Sequence, residues 1–456
     1  PKGRFVEHDI EVDKDGRQRT IAVEGRTPGL NISNTVFGRI TNETEDGQIY
    51  ERILVLGDPT RDLGSLAEGE CRRVIAALDM AEADHLPLEW IPVSSGAAID
   101  MHTGTENLDW TARVLRRLIE FTQAGGEVNI IVAGINVGAQ AYWNAEATML
   151  MHTKGILIMT EIGAMVLTGK RALDFSGSVS ADDNIGIGGV EGIMAPNGQA
   201  QFRVKDVVEA YHLLFRHYRF TSLSARRPYG TKLPTHDPFD RDIAKFPYID
   251  KLNQGFTTIG DILGKQNVER KKPFDMRQVM QSVRDQDTDY LERWQSMRDA
   301  ETAIVWETTV CGFPVGLIGI ESRTVKRIGD IPNDGPDSWT GGTLYPMSSK
   351  KVARAINAYS NTVPVVVLAN LSGFDGSPES LRRLQLEYGA EIGRAVVNFQ
   401  GPLIFIVVSR FHGGAYVVFS KTLNPGMRSV ALEATYASVI GGAPASAVVF
   451  PRQVLK

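Results

Sequence analysis

The chain is 456 residues long, with 43% hydrophobic and 23% charged residues, a composition typical of a globular protein large enough for two domains. Its net charge of −5 argues against a nucleic-acid-binding surface, which ordinarily needs a basic face, and its apolar runs are shorter than the roughly 18 residues that cross a bilayer. Two cysteines, and eight histidines without the spacing of metal ligands, exclude a four-cysteine zinc site and favour a cytoplasmic protein without a metal centre.

The first half of the chain is predicted to alternate strands and helices, since apolar residues recur at strand and helix spacing in turn. In chain order, the elements are a strand pair (36–58), a helix and buried strand ending in Ser-Gly (72–101), a helix from Thr105, a strand with a glycine turn (128–143) and a closing helix (204–220). Strands alternating with helices indicate an α/β fold with a largely parallel sheet.

A segment rich in proline and charge, residues 225–300, is predicted to bridge the two halves. We place the boundary near residue 265, which gives domains over 1–265 and 266–456. The second half then repeats the order of the first: a strand pair (304–321), a helix and buried strand ending in Ser-Gly (350–377), a helix from Ser377, and a strand with a glycine turn (402–419).

The spacing of the repeated features is nearly constant. Pro87 and Pro364 are 277 residues apart, as are Ser95-Gly96 and Ser372-Gly373. The second strand of each half reaches its glycine turn 42 residues after Gly96 in one case and 41 residues after Gly373 in the other. We interpret this order and spacing as an internal duplication of one unit.

The glycine turns are candidate oxyanion sites, because a turn without bulky side chains lets a ligand oxygen approach backbone N–H groups. Gly138 and Ala139 would donate in the first half, and Gly414 and Ala415 in the second. Each preorganised donor stabilises an oxyanion by about 2.7–4 kcal/mol. A glycine after a buried strand is, however, more often a packing or turn residue, so each turn alone also allows a purely structural interpretation.

Several segments resemble the carboxyltransferase subunits and domains of biotin-dependent acyl-CoA carboxylases, over about residues 50–450. They are SSGAAI (94–99), GINVGAQAYW (134–143), KKPFDMR (271–277), PVGLIGIESRTV (314–325), ANLSGFDGS (369–377) and HGGAYVVFSKTLNP (412–425). The resemblance implies two tandem crotonase-like domains of the ββα-superhelix type. It also implies a homodimer or larger homo-oligomer in which the first half of one protomer faces the second half of another.

By position, the resemblance implies that Gly138-Ala139 holds the acyl thioester oxygen as an enolate forms, and that Gly414-Ala415 holds the ureido oxygen of biotin. The residues expected to line the substrate sites are Ser95, Gly96, Ala97 and Tyr142 in the first half and Ser372, Gly373, Gly413 and Tyr416 in the second. The implied reaction moves CO2 from carboxybiotin to the α-carbon of a coenzyme A thioester, with biotin itself as the base.

No Met-Lys-Met motif for biotin attachment is present in the sequence. The resemblance therefore implies that biotin arrives on a carrier domain or subunit, and that a biotin carboxylase domain or subunit loads it. Family members commonly have arginine where this chain has Ala98 and Ser372, and the resemblance implies that those arginines recognise a carboxylate. We therefore expect that another cation recognises the carboxylate here, or that the acyl substrate or the direction of the reaction differs. His412 is a possible proton shuttle, although local packing is the simpler role for it.

Three other functions stay open at this level. A biotin-dependent decarboxylase of malonyl-CoA or methylmalonyl-CoA would share the whole site. A crotonase-type hydratase or isomerase would place an acidic side chain beside its oxyanion turn, but neither turn has one within two positions. A non-catalytic scaffold would suit the loss of both arginines but would not need the glycine turns.

Overall fold

The computed structural model describes residues 2–15, 17–27, 29–44, 47–221, 229 and 232–454. The described residues up to Tyr218 form one compact unit, and those from Tyr229 onward belong to a second. No helix within these ranges is long and apolar enough to cross a membrane.

The described residues of the first unit form ten strands: β1 Lys2–Val12, β2 Gln18–Ala22, β3 Thr35–Glu43, β4 Ile49–Gly57, β5 Leu88–Ile91, β6 Val128–Val132, β7 Ile135–Val137, β8 Leu157–Thr160, β9 Ala164–Val166 and β10 Phe202–Val204. Its α-helices are α1 Glu68–Asp84, α2 Thr105–Gln123, α3 Ala139–Thr148, α4 Lys170–Phe175, α5 Asn184–Gly188 and α6 Val207–Phe220.

Eight of these strands form one mixed sheet in the order β10-β8-β6-β5-β4-β3-β1-β2. Strands β4, β5, β6, β8 and β10 run parallel, whereas β3, β1 and β2 extend the sheet as antiparallel neighbours. The central strands β6 and β8 are buried throughout, which explains why they read as continuous apolar runs. Trp90 of β5 stacks on Trp143 of α3 in the core of this unit, with ring centroids 5.8 Å apart.

In the second unit, the part of the chain that the structure describes has eleven strands: β11 Leu291–Glu292, β12 Ala303–Val310, β13 Phe313–Ile320, β14 Val325–Lys326, β15 Ser338–Trp339, β16 Thr343–Leu344, β17 Val365–Leu371, β18 Gly373–Phe374, β19 Leu403–His412, β20 Arg428–Ala431 and β21 Tyr436–Ser438. Its α-helices are α7 Ile259–Leu263, α8 Met276–Val283, α9 Pro346–Tyr359, α10 Pro378–Arg382, α11 Gln385–Asn398, α12 Gly414–Val418, α13 Gly442–Val449 and α14 Pro451–Val454.

Its main sheet has the order β11-β12-β13-β17-β19-β20, and β21 also pairs with β19. Strands β13, β17, β19 and β20 are parallel, and β11 and β12 continue the sheet in antiparallel fashion. The mixed α/β class and both predicted strand pairs, β3-β4 and β12-β13, are therefore confirmed.

The structure divides the chain earlier than the predicted boundary at residue 265, so that boundary is wrong. Tyr248, Phe256 and Ile262 belong to the buried cluster that also contains Ile304 and Trp306 of β12. These apolar residues lie within the proline-rich segment and are few in number, which is why its composition suggested a bridge. Their burial makes most of that segment part of the second unit.

A second difference concerns the helix predicted to begin at Ser377. The chain forms two helices, α10 and α11, because Leu384 between them adopts a left-handed conformation with φ of 68°. Leu384 is consequently exposed, and the buried face of α11 includes Gln385, Ile392 and Val396. A left-handed leucine is sterically unfavourable and gives no signal in the sequence pattern.

Helix α9 buries a lysine, which gives a testable consequence for stability. The side chain of Lys351 is 3% exposed, and burial is the main cause that lowers its pKa to about 8. Its pKa in the unfolded chain is about 10.4, so the unfolded state binds more protons between the two values and the free energy of unfolding rises with pH there. Below pH 8 the folded protein bears the full cost of the buried charge.

We therefore expect Lys351→Met to stabilise the protein at pH 7 by about 1–4 kcal/mol, and to stabilise it less at pH 9.5. Urea unfolding midpoints at the two pH values measure the difference. Lys421→Met, which changes an exposed lysine, is the control and should have no effect at either pH. An equal gain at both pH values would show that the charge of Lys351 is not what destabilises the fold.

Candidate active site

The first glycine turn joins strand β7 to helix α3. Gly138 has φ of 63° and ψ of −121°, the conformation of the first central residue of a type II′ turn, where glycine is strongly preferred. Its own N–H donates to the carbonyl of Val166 in β9, at 2.9 Å. The prediction that Gly138 is an oxyanion donor is therefore wrong, because that amide already has an acceptor.

Gly138 instead sets the direction in which α3 begins. Ala139 is the first residue of α3, and the first four N–H groups of a helix have no acceptor within the helix. The amide of Ala139 is one of these groups, and its role as a donor to a ligand stays a prediction.

The first Ser-Gly turn lies directly beside Gly138. The amide of Ser94 donates to Ile135, and the amide of Val137 donates back to Ser94, at 3.1 and 3.0 Å. Gly96 has φ of 103°, and a Cβ atom built on Gly138 would lie 3.9 Å from the Cα atom of Gly96. The two predicted segments of the first half are thus brought together.

The amide of Ala97 is a further candidate donor, although the sequence indicated Ala97 only as a substrate-lining residue. Leu66 donates to the carbonyl of Gly96 and accepts from the amide of Ala98, at 2.9 and 2.8 Å. Ala97 lies between these two bonds, so its N–H points away from Leu66 and does not donate to it.

The second glycine turn joins β19 to α12 and has the same local geometry. Gly413 has φ of 62° and ψ of −143°, and its amide donates to the carbonyl of Ser438 at 3.3 Å. Gly414 and Ala415 begin α12, so their amides lack acceptors within the helix. Gly414 is exposed at this turn, whereas Ala415 is fully buried, which makes Gly414 the more accessible of the two predicted donors.

The second Ser-Gly turn lies against this helix start. Gly373 has φ of 137°, Ser372 donates to the carbonyl of Gly342, and Asp375 donates to that of Leu344 at 3.0 Å. Phe374 lies between these bonds, so its N–H points away from Leu344, as that of Ala97 does in the first unit. A Cβ atom built on Gly414 would lie 3.3 Å from the ring of Phe374.

The predicted aromatic and polar residues differ in their exposure. Tyr142 and Tyr416 are 56% and 51% exposed, so the alternative that they are core aromatics does not hold. Ser95 is exposed at the first turn. The hydroxyl of Ser372 lies within 3.3 Å of the position that a Cβ atom of Gly342 would take.

His412 directly precedes the second turn and is almost completely buried. Its Nδ1 atom lies 3.0 Å from the hydroxyl of Ser438, and the roles of donor and acceptor depend on the tautomer. Burial, and next the charge of Arg410, lower the pKa of His412. The ring is therefore neutral near pH 7, and its bond to Ser438 fits the simpler local role.

Apolar side chains surround both turns and are exposed to solvent. Leu167 lies beside the first turn, and Val417 and Val439 flank the second. The carbonyls of Leu167 and Val439 lie 3.8 and 3.6 Å from the positions of Cβ atoms built on Gly138 and Gly413. Exposed apolar groups beside backbone donors are the expected surroundings of a site that another molecule covers.

Comparison with known proteins adds family-level information. Residues 50–456 match the sequence profile of the Carboxyl transferase domain. An acetyl-CoA carboxylase of Dictyostelium discoideum is 29% identical over 344 residues, which are 71% of this chain and 14% of that protein. An acetyl-CoA carboxylase of Saccharomyces cerevisiae is 23% identical over 496 residues, covering 92% of this chain and 21% of that protein.

Among solved structures, transcarboxylase 12S, in a hexameric assembly with methylmalonyl-coenzyme A and methylmalonic acid bound, matches with a TM-score of 0.71 at 21% identity. The match covers 92% of this chain and 72% of that one. At this identity the likeness shows the fold alone.

Proposed function

Because the chain belongs to the carboxyl transferase domain family, we propose that it transfers a carboxyl group between biotin and the α-carbon of an acyl-CoA. The observation that supports this most directly is the pair of glycine turns, each with two adjacent backbone donors. Backbone amides that are fixed before the reaction stabilise a developing oxyanion without reorganisation.

The first unit would hold the thioester. Its donors would be the amides of Ala97 and Ala139, which would donate hydrogen bonds to the thioester oxygen as its negative charge grows in the enolate. Gly138 would contribute by conformation rather than as a donor, because its amide donates to Val166. Exposed Tyr142 and Leu167 would cover the acyl-CoA. The length of acyl chain that the site accepts would depend on packing in the complex.

The second unit would hold the ureido oxygen of biotin. The amides of Phe374 and Gly414 suit this neutral oxygen, since they are uncharged donors on an exposed turn. When bound, carboxybiotin would supply both the carboxyl group and the base for the α-proton. No carboxylate lies within two positions of either turn in the sequence, so the chain itself offers no obvious base there.

We also infer that the two units arose from one ancestral crotonase-like unit. Each has an antiparallel strand pair followed by parallel strands, a Ser-Gly segment bonded to a leucine, and a type II′ glycine before a helix. Leu66 and Leu344 make the same two backbone bonds, which supports the equivalence of Ala97 with Phe374. The equivalent of Gly138 by conformation is Gly413.

The partners would be a biotin carrier and a biotin carboxylase, as domains or separate subunits. The chain spans 14% and 21% of the two acetyl-CoA carboxylases described above, and it matches a subunit that assembles as a hexamer. A second copy of the chain would cover the apolar residues around each turn. We propose a cytoplasmic location on the basis of the cysteine content.

The proposal is tested by incubating the chain with malonyl-CoA or methylmalonyl-CoA in the presence and absence of biocytin. We expect decarboxylation that depends on biocytin, and faster turnover of one of the two thioesters would identify the acyl preference. Decarboxylation at the same rate without biocytin would contradict the proposal and favour a crotonase-type enzyme. No turnover with either thioester would favour the scaffold.

A further inference from the structure

Strand β19 makes a bulge immediately before the second glycine turn. In its pairing with β17, Ala369 is opposite Val407, whereas Leu371 is opposite Phe411. Two steps along β17 therefore match four steps along β19, so residues 408–410 face the single residue Asn370. Bulges of this kind redirect side chains and are frequent beside active sites.

Asn370, on the β17 side of the bulge, has an unsatisfied amide. Its side chain is fully buried, and neither Nδ2 nor Oδ1 has a hydrogen-bond partner in the part of the chain that the structure describes. A Cβ atom built on Gly342 would lie 3.5 Å from Nδ2 of Asn370 and 3.3 Å from the hydroxyl of Ser372. The amide thus lies close to the second Ser-Gly turn.

An unpaired buried amide of this kind destabilises the fold, because the amide has lost its bonds to water and gained none in the protein. Buried polar groups in native proteins are therefore almost always paired with protein, water or ligand. A bound group that pairs with this amide would remove the cost.

Arg410 lies on the β19 side of the same bulge. Its Nε atom is buried and has no partner among the described residues, and no acidic side chain there lies within 4.0 Å of the guanidinium. Burial lowers the pKa of Arg410, and the charge of Arg410 in turn contributes to the lowered pKa of His412. Within the described ranges this cation therefore has no counter-ion.

The position of Arg410 relative to the turn follows from the strand register. Arg410 pairs with Tyr436 of β21, and His412 pairs with Ser438, whose carbonyl accepts the amide of Gly413. Arg410 is thus three residues upstream of Gly413 on the strand that leads into the turn. A half-buried guanidinium with an unpaired Nε, and with no counter-ion among the described residues, matches the needs of a carboxylate.

We infer that Arg410 binds the carboxylate that is being transferred at the second turn, with Asn370 as a positioning residue. This inference rests on the proposed function, because it deepens the assignment of the biotin side. It also accounts for the absence of the arginines expected at Ala98 and Ser372, since Arg410 would supply the cation from β19. The carboxylate could be that of carboxybiotin or that of a malonyl thioester.

The first test measures binding of malonyl-CoA and acetyl-CoA to the wild type, Arg410→Gln and Arg410→Lys without biotin. If the site takes the thioester's carboxylate, Arg410→Gln should weaken malonyl-CoA binding about 10- to 100-fold and leave acetyl-CoA binding unchanged. Arg410→Lys, which keeps the charge, should recover part of the affinity. Arg428→Gln, which removes an exposed cation of β20, is the matched control and should change neither affinity.

The second test measures biocytin-dependent decarboxylation of malonyl-CoA by the same variants. Unchanged binding of both thioesters in Arg410→Gln, with a rate about 100-fold lower and partly restored in Arg410→Lys, would assign the carboxylate to carboxybiotin. Asn370→Leu, which removes the unpaired amide at similar volume, should raise the melting temperature while lowering the rate at least 10-fold.

The inference would be overturned if Arg410→Gln kept both the wild-type rate and the wild-type ratio of affinities while decarboxylation still required biocytin. That result would leave the proposed function intact. Decarboxylation by the wild type that does not need biocytin would instead contradict the proposed function itself. A wild-type rate in Asn370→Leu would show that Asn370 is not a positioning residue. It would not change the role inferred for Arg410.

Discussion

Alanine at Gly138 or at Gly413 should reduce the biocytin-dependent reaction about 100- to 1,000-fold, which is the typical effect of losing one oxyanion donor. Both glycines have φ near +60° and strongly negative ψ, a conformation that residues with a Cβ atom rarely adopt. Alanine would force the turn to relax, and the first amides of α3 or α12 would move with it.

The local surroundings make this a test of backbone conformation rather than of packing. A Cβ atom on Gly138 would have its closest contact at 3.8 Å, and one on Gly413 at 3.6 Å, so both positions have room for a methyl group. The strain should cost about 1–3 kcal/mol of stability, which a native fold of this size tolerates. Circular dichroism and thermal melting should therefore show folded protein in both variants.

Matched controls are available among the other glycines with positive φ. Gly25 and Gly255 have φ of 70° and 86°, and Cβ atoms built on them would have no neighbour within 4 Å. Gly25→Ala and Gly255→Ala also place alanine at positive φ, and they should retain the wild-type rate. Wild-type rates in both turn variants, with the fold intact, would show that neither turn takes part in the reaction.

Glu89→Ala should destabilise the first unit by about 3–5 kcal/mol, the usual cost of removing one partner of a buried ion pair. Arg52 and Glu89 are both fully buried, with Nε and Oε2 3.0 Å apart. The carboxylate also accepts the hydroxyls of Tyr211 and Tyr218 of α6, at 2.8 and 3.1 Å. The variant would leave a buried guanidinium and two hydroxyls without this acceptor.

Hydrogen exchange followed by mass spectrometry measures this effect locally. Peptides from β4 and β5 should exchange faster by a factor that corresponds to the lost free energy, whereas peptides from β17 and β19 of the second unit should not change. A double variant, Arg52→Met with Glu89→Leu, should recover much of the protection, because it removes both buried charges. Unchanged exchange in Glu89→Ala would show that the pair does not stabilise the unit.

The sequence predicted the class of fold and the location of both turns. Strand and helix periodicity located most core elements, and buried strands that end in small residues marked the turns at Gly138 and Gly413-Gly414. Such features are local, so a pattern of neighbouring residues is sufficient to detect them.

Other features depended on contacts between distant residues. The acceptor of the Gly138 amide is Val166, and the orientation of the Ala97 amide depends on Leu66. Neither partner can be identified from the sequence around the turn. The proposed donors that were missed, Ala97 and Phe374, have side chains without catalytic chemistry, so only the backbone geometry suggests a role for them.

The unpaired groups at the bulge, Asn370 and Arg410, were also missed as site residues. The register shift between β17 and β19 has no signature in the local sequence, because it depends on how two distant segments pair. The departures at Ala98 and Ser372 were the only available signal, since they indicated that a cation had to come from elsewhere.

A crystal structure of the chain with propionyl-CoA and biotin would test the two turns most directly. We predict that the thioester oxygen lies within about 3.1 Å of the amide nitrogens of Ala97 and Ala139, and the ureido oxygen within the same distance of those of Phe374 and Gly414. Both ligands bound away from the turns, or turns whose amides donate to the protein's own carbonyls in the complex, would contradict the assignment.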